Sequence, residues 1–169
     1  MGAHARKDAG SQCVTPVTAV GASFRAATQA DVPAIVAIER TSFGDPWSEE
    51  TFRDLLRLRQ AIFLVVTEGL PESVCGYVIA AVITDEAEVL NLAVAGQSRR
   101  RGFGGRLLDA GLGIIRERGA REVFLEVRES NAAAISLYTS RGFAALSRRA
   151  RYYRNPVEDA LVLRHAIEG

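Results

Sequence analysis

The sequence predicts a mixed α/β (α+β) domain whose elements follow one another as β-α-α-β-β-β-α-β-α-β-β. Three observations predict it. Ala61–Thr67 and Val74–Ile83 are β-rich runs separated by a Gly-Leu-Pro turn, so they should pair as a hairpin. Apolar residues recur at helical spacing elsewhere, as in Leu107, Leu108, Gly111, Leu112 and Ile115. Finally, the stretch from Val89 to Leu108 reads as an apolar strand, a basic glycine-rich turn and the opening of an amphipathic helix, with another strand after it. That order is a β-α-β crossover, hence one parallel pair in a mostly antiparallel sheet.

Residues 1–22, rich in Ala, Gly, Ser and Thr, read as a flexible tail, and 23–169 as a single domain. Ser23–Ala27 is a short first strand. Thr28, with Asp31 three residues on, is a variant capping box for a helix whose stripe is Val32, Ile35 and Ile38. Pro33 is tolerated in its first turn. Ser48 is the N-cap of a second helix. Glu49 and Glu50 suit its positive end, and Trp47 and Phe52 form a hydrophobic staple across it. The loop before Ser48 is a candidate wall for a substrate groove.

Glu86–Val94 is a longer strand. Alternation puts Glu88, Leu90, Leu92 and Val94 on one face and Val89, Asn91 and Ala93 on the other. The helix from about Gly104 ends at Gly119, and Arg121–Arg128 is the next strand. Asn131 caps a helix through Tyr138 that stops at Gly142, and Phe143–Tyr152 and Val157–Ala166 are the last two strands.

With 169 residues and a formal net charge of +1, the chain carries no general argument for nucleic-acid binding. No apolar run approaches a membrane span, and MGAHARKDAG has no apolar signal core. Cys13 and Cys75 make neither a metal spacing nor a disulfide framework, and Cys75 reads as a small buried hydrophobe. These features fit a cytoplasmic, metal-free protein.

The glycine turn, Arg99-x-x-Gly102-x-Gly104, has the makings of an anion site. A helix N-terminus offers unpaired amides and a positive dipole end, and glycines let a phosphate approach the backbone. It is neither a dinucleotide fingerprint nor a P-loop. The three arginines, Arg99, Arg100 and Arg101, read either as phosphate ligands or as a solvated basic turn.

Glu126 interrupts the apolar VFLEV strand, on the face of Phe124. It is either a carboxylate on a wet sheet face or a group held in a site. Tyr138 is either a core tyrosine on a stripe with Ala134 and Ile135 or a hydroxyl aimed at chemistry. RRARYYR, residues 148–154, alternates basic and aromatic side chains. It reads as a charge-protected edge strand, a substrate wall or an RNA patch.

The glycine turn after an apolar strand resembles the acetyl-CoA pyrophosphate loop of the GNAT superfamily of N-acetyltransferases. LEVRESNAAAISLYTSRGF, DVPAIVAIERTSFGDPWSEETF, NLAVAGQSRRRGFGGRLL and RRARYYRNPVEDALVL extend the likeness from about Phe24 to Leu163. They point to the branch acting on ribosomal-protein alanine. The resemblance implies a GNAT fold with a splay between the fourth and fifth strands. It implies acetyl-CoA contacts at Leu92, Ala93 and Val94, along the turn (Arg99, Arg100, Arg101, Gly102, Phe103, Gly104, Gly105) and at Asn131. It also implies Glu126 as general base, Tyr138 as general acid, and Tyr152 and Tyr153 on the substrate side. There are two departures from the pattern: Ala95-Gly96 replaces the usual Asp-Pro, and Arg99 the usual Gln.

The implied reaction is acetyl transfer from acetyl-CoA to a protein α-amine, with the N-terminal peptide of a small-subunit ribosomal protein as partner. Direct attack is expected, because neither cysteine has an activating partner. No metal, membrane or specific nucleic-acid partner is expected, and a monomer is. Two other readings stay open: a GNAT enzyme for small amines or lysine, and a non-catalytic acyl-CoA-sensing or docking module.

Overall fold

The computed structural model describes residues 21–168, so nearly all of the tail lies outside the described residues. Seven strands and four helices are β1 (Ser23–Ala26), α1 (Val32–Ser42), α2 (Glu49–Leu55), β2 (Ala61–Glu68), β3 (Ser73–Ile83), β4 (Glu86–Val94), α3 (Phe103–Glu117), β5 (Glu122–Arg128), α4 (Ala132–Thr139), β6 (Ala144–Arg154) and β7 (Val157–Ala166). They form one sheet in the order β1-β2-β3-β4-β5-β7-β6, antiparallel except for the β4–β5 pair. That parallel pair is the crossover through α3 that the sequence predicts. No helix among the described residues is long and apolar enough to cross a membrane.

Two apolar layers sandwich the sheet. On one side α3 and α4 lay Phe103, Leu107, Leu108, Ile115 and Tyr138 against Val78, Val89, Val123 and Leu125. On the other, α1 and α2 lay Val32, Ile35, Val36 and Phe52 against Phe63, Val65, Tyr77 and Ile79. Burying such side chains supplies about 1.5–3 kcal/mol each. Helix α1 packs on β3 and β4. The same face of β5 and β7 carries the partly exposed Phe124, Glu126 and Val162.

Local signals behave largely as read. Asp31 accepts from the Thr28 amide at 2.8 Å, but the turn this closes is a 3-10 turn (Gln29–Asp31), and α1 proper begins at Val32. Ser48 accepts from the Thr51 amide at 3.2 Å, and Trp47 meets Phe52 with ring centroids 5.8 Å apart, so the staple is in place. Strand β6 runs two residues further than the sequence suggests. It is the sheet edge, exposed along almost its whole length.

Strand β4 corrects the simple alternation. Ile79 pairs with Asn91 and Ala80 with Val89, so Leu90 is an extra, bulged residue. The bulge reverses the phase. Ala87 and Val89 before it share the α3 side with Leu92 and Val94 after it, while Leu90, Asn91 and Ala93 face α1. A period-two count carries no information about an inserted residue.

Candidate active site

The β4–β5 ladder starts at Glu86–Glu122 and stops at Val89–Leu125, one residue before the bulge. Beyond it the two strands diverge, as the splay requires. Ala95 donates to the Cys75 carbonyl at 2.7 Å, and Ala93 pairs with Tyr77. Antiparallel bonding alternates along a strand, so the amides of Leu92 and Val94 point away from β3, into the opening. The Val94 carbonyl points the same way and accepts from Arg99 Nε at 3.0 Å. The bulge and the end of the ladder therefore expose backbone donors where a thioester carbonyl could be received.

One end of the opening is the glycine turn. Gly102 has φ +79°, in the left-handed region, and is the N-cap of α3. The first bond back into it is Arg106 N–H to Gly102 O at 3.1 Å, so the amides of Phe103, Gly104 and Gly105 have no intrahelical acceptor. A Cβ on Gly104 would meet Leu92, Val94 and Leu137 only at ordinary contact distances, 3.6–3.7 Å. Packing does not require a glycine there, whereas close approach by a phosphate does. These residues fit a coenzyme pyrophosphate.

The arginines divide. Arg99 is engaged with Val94 O and, at 3.4 Å, with the Ser42 hydroxyl. Arg101 makes a bidentate pair with Glu68 (2.7 and 2.5 Å) and lies over the Phe103 ring. Both guanidiniums brace the turn from outside, and Arg100 has φ +60°. Asn131 Oδ1 caps α4 through the Ala134 amide at 3.1 Å.

On the acceptor side, Glu126 stands on β5 one residue past the end of the ladder, its side chain 17% exposed. Arg149 of β6 pairs with it at 3.0 Å. The neighbouring Glu126 carboxylate favours the protonated phenol of Tyr152 and, together with burial, raises its pKa. Tyr153 lies edge-on to Tyr152, with centroids 5.1 Å apart, under the Arg128 guanidinium. Burial first, then the Glu126 charge, pushes its pKa up to about 12. From α4, Tyr138 is 7% exposed and packs edge-on against Phe143. Burial, then the neighbouring Tyr153, pushes it up to about 12, so its hydroxyl keeps its proton at neutral pH. Tyr138 is thus a core residue and a member of the cluster at once.

The fold thereby brings Glu126, Tyr152 and Tyr153 together just past the end of the ladder, with Tyr138 next to Tyr153. Three contributors escape a sequence reading. Glu88 of β4 has its carboxyl raised by burial and then by the nearby Glu126 charge, with Arg149 opposing. Arg149 comes from β6, where Ser147, two residues before it, pairs with Val162, itself the partner of Glu126. The turn between β6 and β7 reaches the α1–α2 loop, where Asn155 Nδ2 donates to Gly44 O at 2.9 Å.

Residues 32–143 match the family model described as the acetyltransferase (GNAT) family. The [ribosomal protein bS18]-alanine N-acetyltransferase of Escherichia coli K12 is 37% identical over 135 residues, covering 79% of this chain and 89% of that one. The chain belongs to the GNAT acetyltransferase family. Within it, an N-alpha-acetyltransferase of Sulfurisphaera tokodaii is 31% identical over 153 residues, covering 83% of this chain and 90% of that one. The crystal structure of the Escherichia coli ribosomal-protein-S18-alanine N-acetyltransferase superposes with a TM-score of 0.79 at 32% identity, covering 88% of this chain and 97% of that one. This GNAT chain is an acetyltransferase resembling the RimI branch, as its motifs suggest.

Proposed function

We propose that this acetyltransferase carries an acetyl group from acetyl-CoA to the N-terminal α-amine of a protein, the N-terminal alanine of a small-subunit ribosomal protein being its substrate. The named activities of the bacterial relatives support the acceptor. The observation that carries the chemistry is the end of the β4–β5 ladder, with the turn amides that lack an intrahelical acceptor, Glu126 just past the last pair, and Tyr138 next to Tyr153.

The amides of Phe103, Gly104 and Gly105 would hold the coenzyme pyrophosphate, with the opening beside Leu92 and Val94 left for the thioester. The amine nitrogen attacks the thioester carbon, and its proton passes to Glu126 directly or through a water. The carbonyl oxygen, now an oxyanion, receives the free β4 amides. As the C–S bond breaks, the thiolate takes the Tyr138 proton, which is later restored from solvent. A free α-amine has a pKa of about 8 against about 10.4 for lysine, so a carboxylate suffices as base. Direct attack is supported by Cys75, which is buried in β3 with its thiol pushed up by that burial. Cys13 lies outside the described residues. We assign the reaction to the cytoplasm and to a monomer.

The test is thiol release from acetyl-CoA with short peptides that differ only at the first residue. Turnover on Ala-initiated peptides, lost when the N-terminus is blocked, is expected. Turnover only on small amines or lysine would overturn the acceptor. Binding of acetyl-CoA without turnover on any amine would leave an acyl-CoA-sensing module.

A further inference from the structure

We propose that Arg149 is a resident counter-ion of Glu126, a positioning residue that occupies the carboxylate until the acceptor's α-ammonium displaces it. The inference rests on the reading of Glu126 as the base and extends it to how the acceptor is received.

Arg149 Nη1 lies 3.0 Å from Glu126 Oε1. The two partners are unequal, the glutamate side chain being 17% exposed and the arginine 58%. The guanidinium therefore covers the carboxylate from the solvent side, along the approach an acceptor must take. The backbone around Arg149 is arranged for this. Arg149 pairs with Ala160, and the next pair is Tyr153–Glu158, so four steps on β6 oppose two on β7. Arg151 takes φ +50° in the displaced stretch, and its amide is held by Asp159 Oδ1 at 2.9 Å. A regular ladder would turn Arg149 and Tyr152 to opposite faces; the irregularity that follows Arg149 brings Tyr152 round beside Glu126 and Arg149.

A second berth is at hand. The Arg149 guanidinium sits 5.5 Å from the Tyr152 ring centroid, within cation–π range, so it can leave the carboxylate without leaving the site. Arg148, its neighbour, is otherwise engaged, pairing with Glu129 and Asp159. The groups facing Glu126 are Glu88 from β4 and Arg149 and Tyr152 from β6, with Tyr153 beyond them. Only Arg149 among these is a cation. An α-amine arrives at neutral pH largely as the ammonium. It supplies the same charge to the same oxygen and then gives up its proton there.

The experiment compares Arg149→Gln and Arg149→Lys with the wild type. An exposed pair contributes about 0.2–1 kcal/mol, so removing the competing cation should lower the KM of an Ala-initiated peptide by about 1.4- to fivefold. The inhibition constant of the same peptide with a blocked N-terminus should not change, since it carries no ammonium. Arg149→Lys, which keeps a cation beside the carboxylate, should leave the peptide KM near the wild-type value. A merely structural arginine would shift the free and the blocked peptide alike. A peptide KM that stays or rises in Arg149→Gln, or a blocked-peptide inhibition constant that falls with it, overturns the proposal. Glu126→Gln run alongside separates the two readings. Full turnover in that variant removes Glu126 as base, while the split between free and blocked peptide in Arg149→Gln still decides whether the ammonium displaces Arg149.

Discussion

The carboxylate of Glu39 accepts the hydroxyl of Tyr77 inside the core, between α1 and β3. Glu39 is 1% exposed, and its two oxygens also receive the Asn91 amide at 3.0 Å and the Trp47 N–H at 2.9 Å. One buried side chain thus ties α1 to β3, to the bulged part of β4 and to the start of α2. Burial, then the Glu39 charge, raises the Tyr77 pKa and keeps the phenol a donor. Removing the acceptor strands three donors, the buried Tyr77 hydroxyl among them, whereas removing one donor leaves two. Glu39→Ala should therefore cost about 2–4 kcal/mol and Tyr77→Phe about 1–2 kcal/mol. Urea unfolding followed by Trp47 fluorescence measures both.

Tyr138→Phe separates packing from proton donation. The ring and its contact with Phe143 survive, so the melting temperature should barely change. If the hydroxyl delivers the proton to the leaving thiolate, kcat should fall by about 10²–10⁴ with the KM of acetyl-CoA unaltered. A variant with wild-type kcat would leave Tyr138 as a core tyrosine only.

Two glycines in the turn should respond differently. Gly104→Ala meets only ordinary contacts, so the fold should tolerate it, while the methyl occupies the approach of the pyrophosphate. Its signature is a raised KM for acetyl-CoA at near-normal stability. Gly102→Ala puts a side chain at φ +79° and should lose about 1 kcal/mol of stability as well. Calorimetry beside initial-rate kinetics distinguishes them.

The fold was largely legible from sequence, because turns and caps are local. Ser48 with Trp47 and Phe52, Gly119 at φ +85° and Gly142 at φ +88° each mark a boundary through their own chemistry. The bulge at Leu90 was not legible, since nothing in VLNLAV marks an inserted residue, yet it accompanies the splay. Glu39 did leave a trace. Val32, Ile35, Val36 and Glu39 share one helical stripe, so an acid stands where an apolar residue belongs. Arg149 left none beyond the basic run it belongs to, because its partner comes from a strand 23 positions earlier.

Arg25 and Asp31 give the stability a pH dependence. Two guanidinium bonds, 2.8 and 2.9 Å, hold the Asp31 carboxyl below the usual range, with burial opposing and the Thr28 amide assisting. A folded-state pKa below the unfolded value of about 3.9 means the contribution is present above that value and lost as pH falls through the folded one. Asp31→Asn should be less stable than wild type by about 1–3 kcal/mol at pH 7. The gap should narrow steadily once the pH drops below about 4.

The contact between Gly44 and Asn155 bridges the α1–α2 loop and the turn after β6, the two segments that flank the acceptor face. A Cβ on Gly44 would lie 2.1 Å from the Asn155 carbonyl oxygen, a backbone atom, so Gly44→Ala must push the segments apart. Asn155→Ala removes the hydrogen bond without the clash. Neither segment belongs to the coenzyme turn, so both variants should raise the peptide KM, Gly44→Ala the more, while the KM of acetyl-CoA holds. A net hydrogen bond contributes about 1 kcal/mol, which sets the expected loss for Asn155→Ala at about fivefold. Equal loss of affinity for peptide and coenzyme would instead mean that the contact steadies the whole domain. An unchanged peptide KM in both variants would mean that acceptors enter by another side.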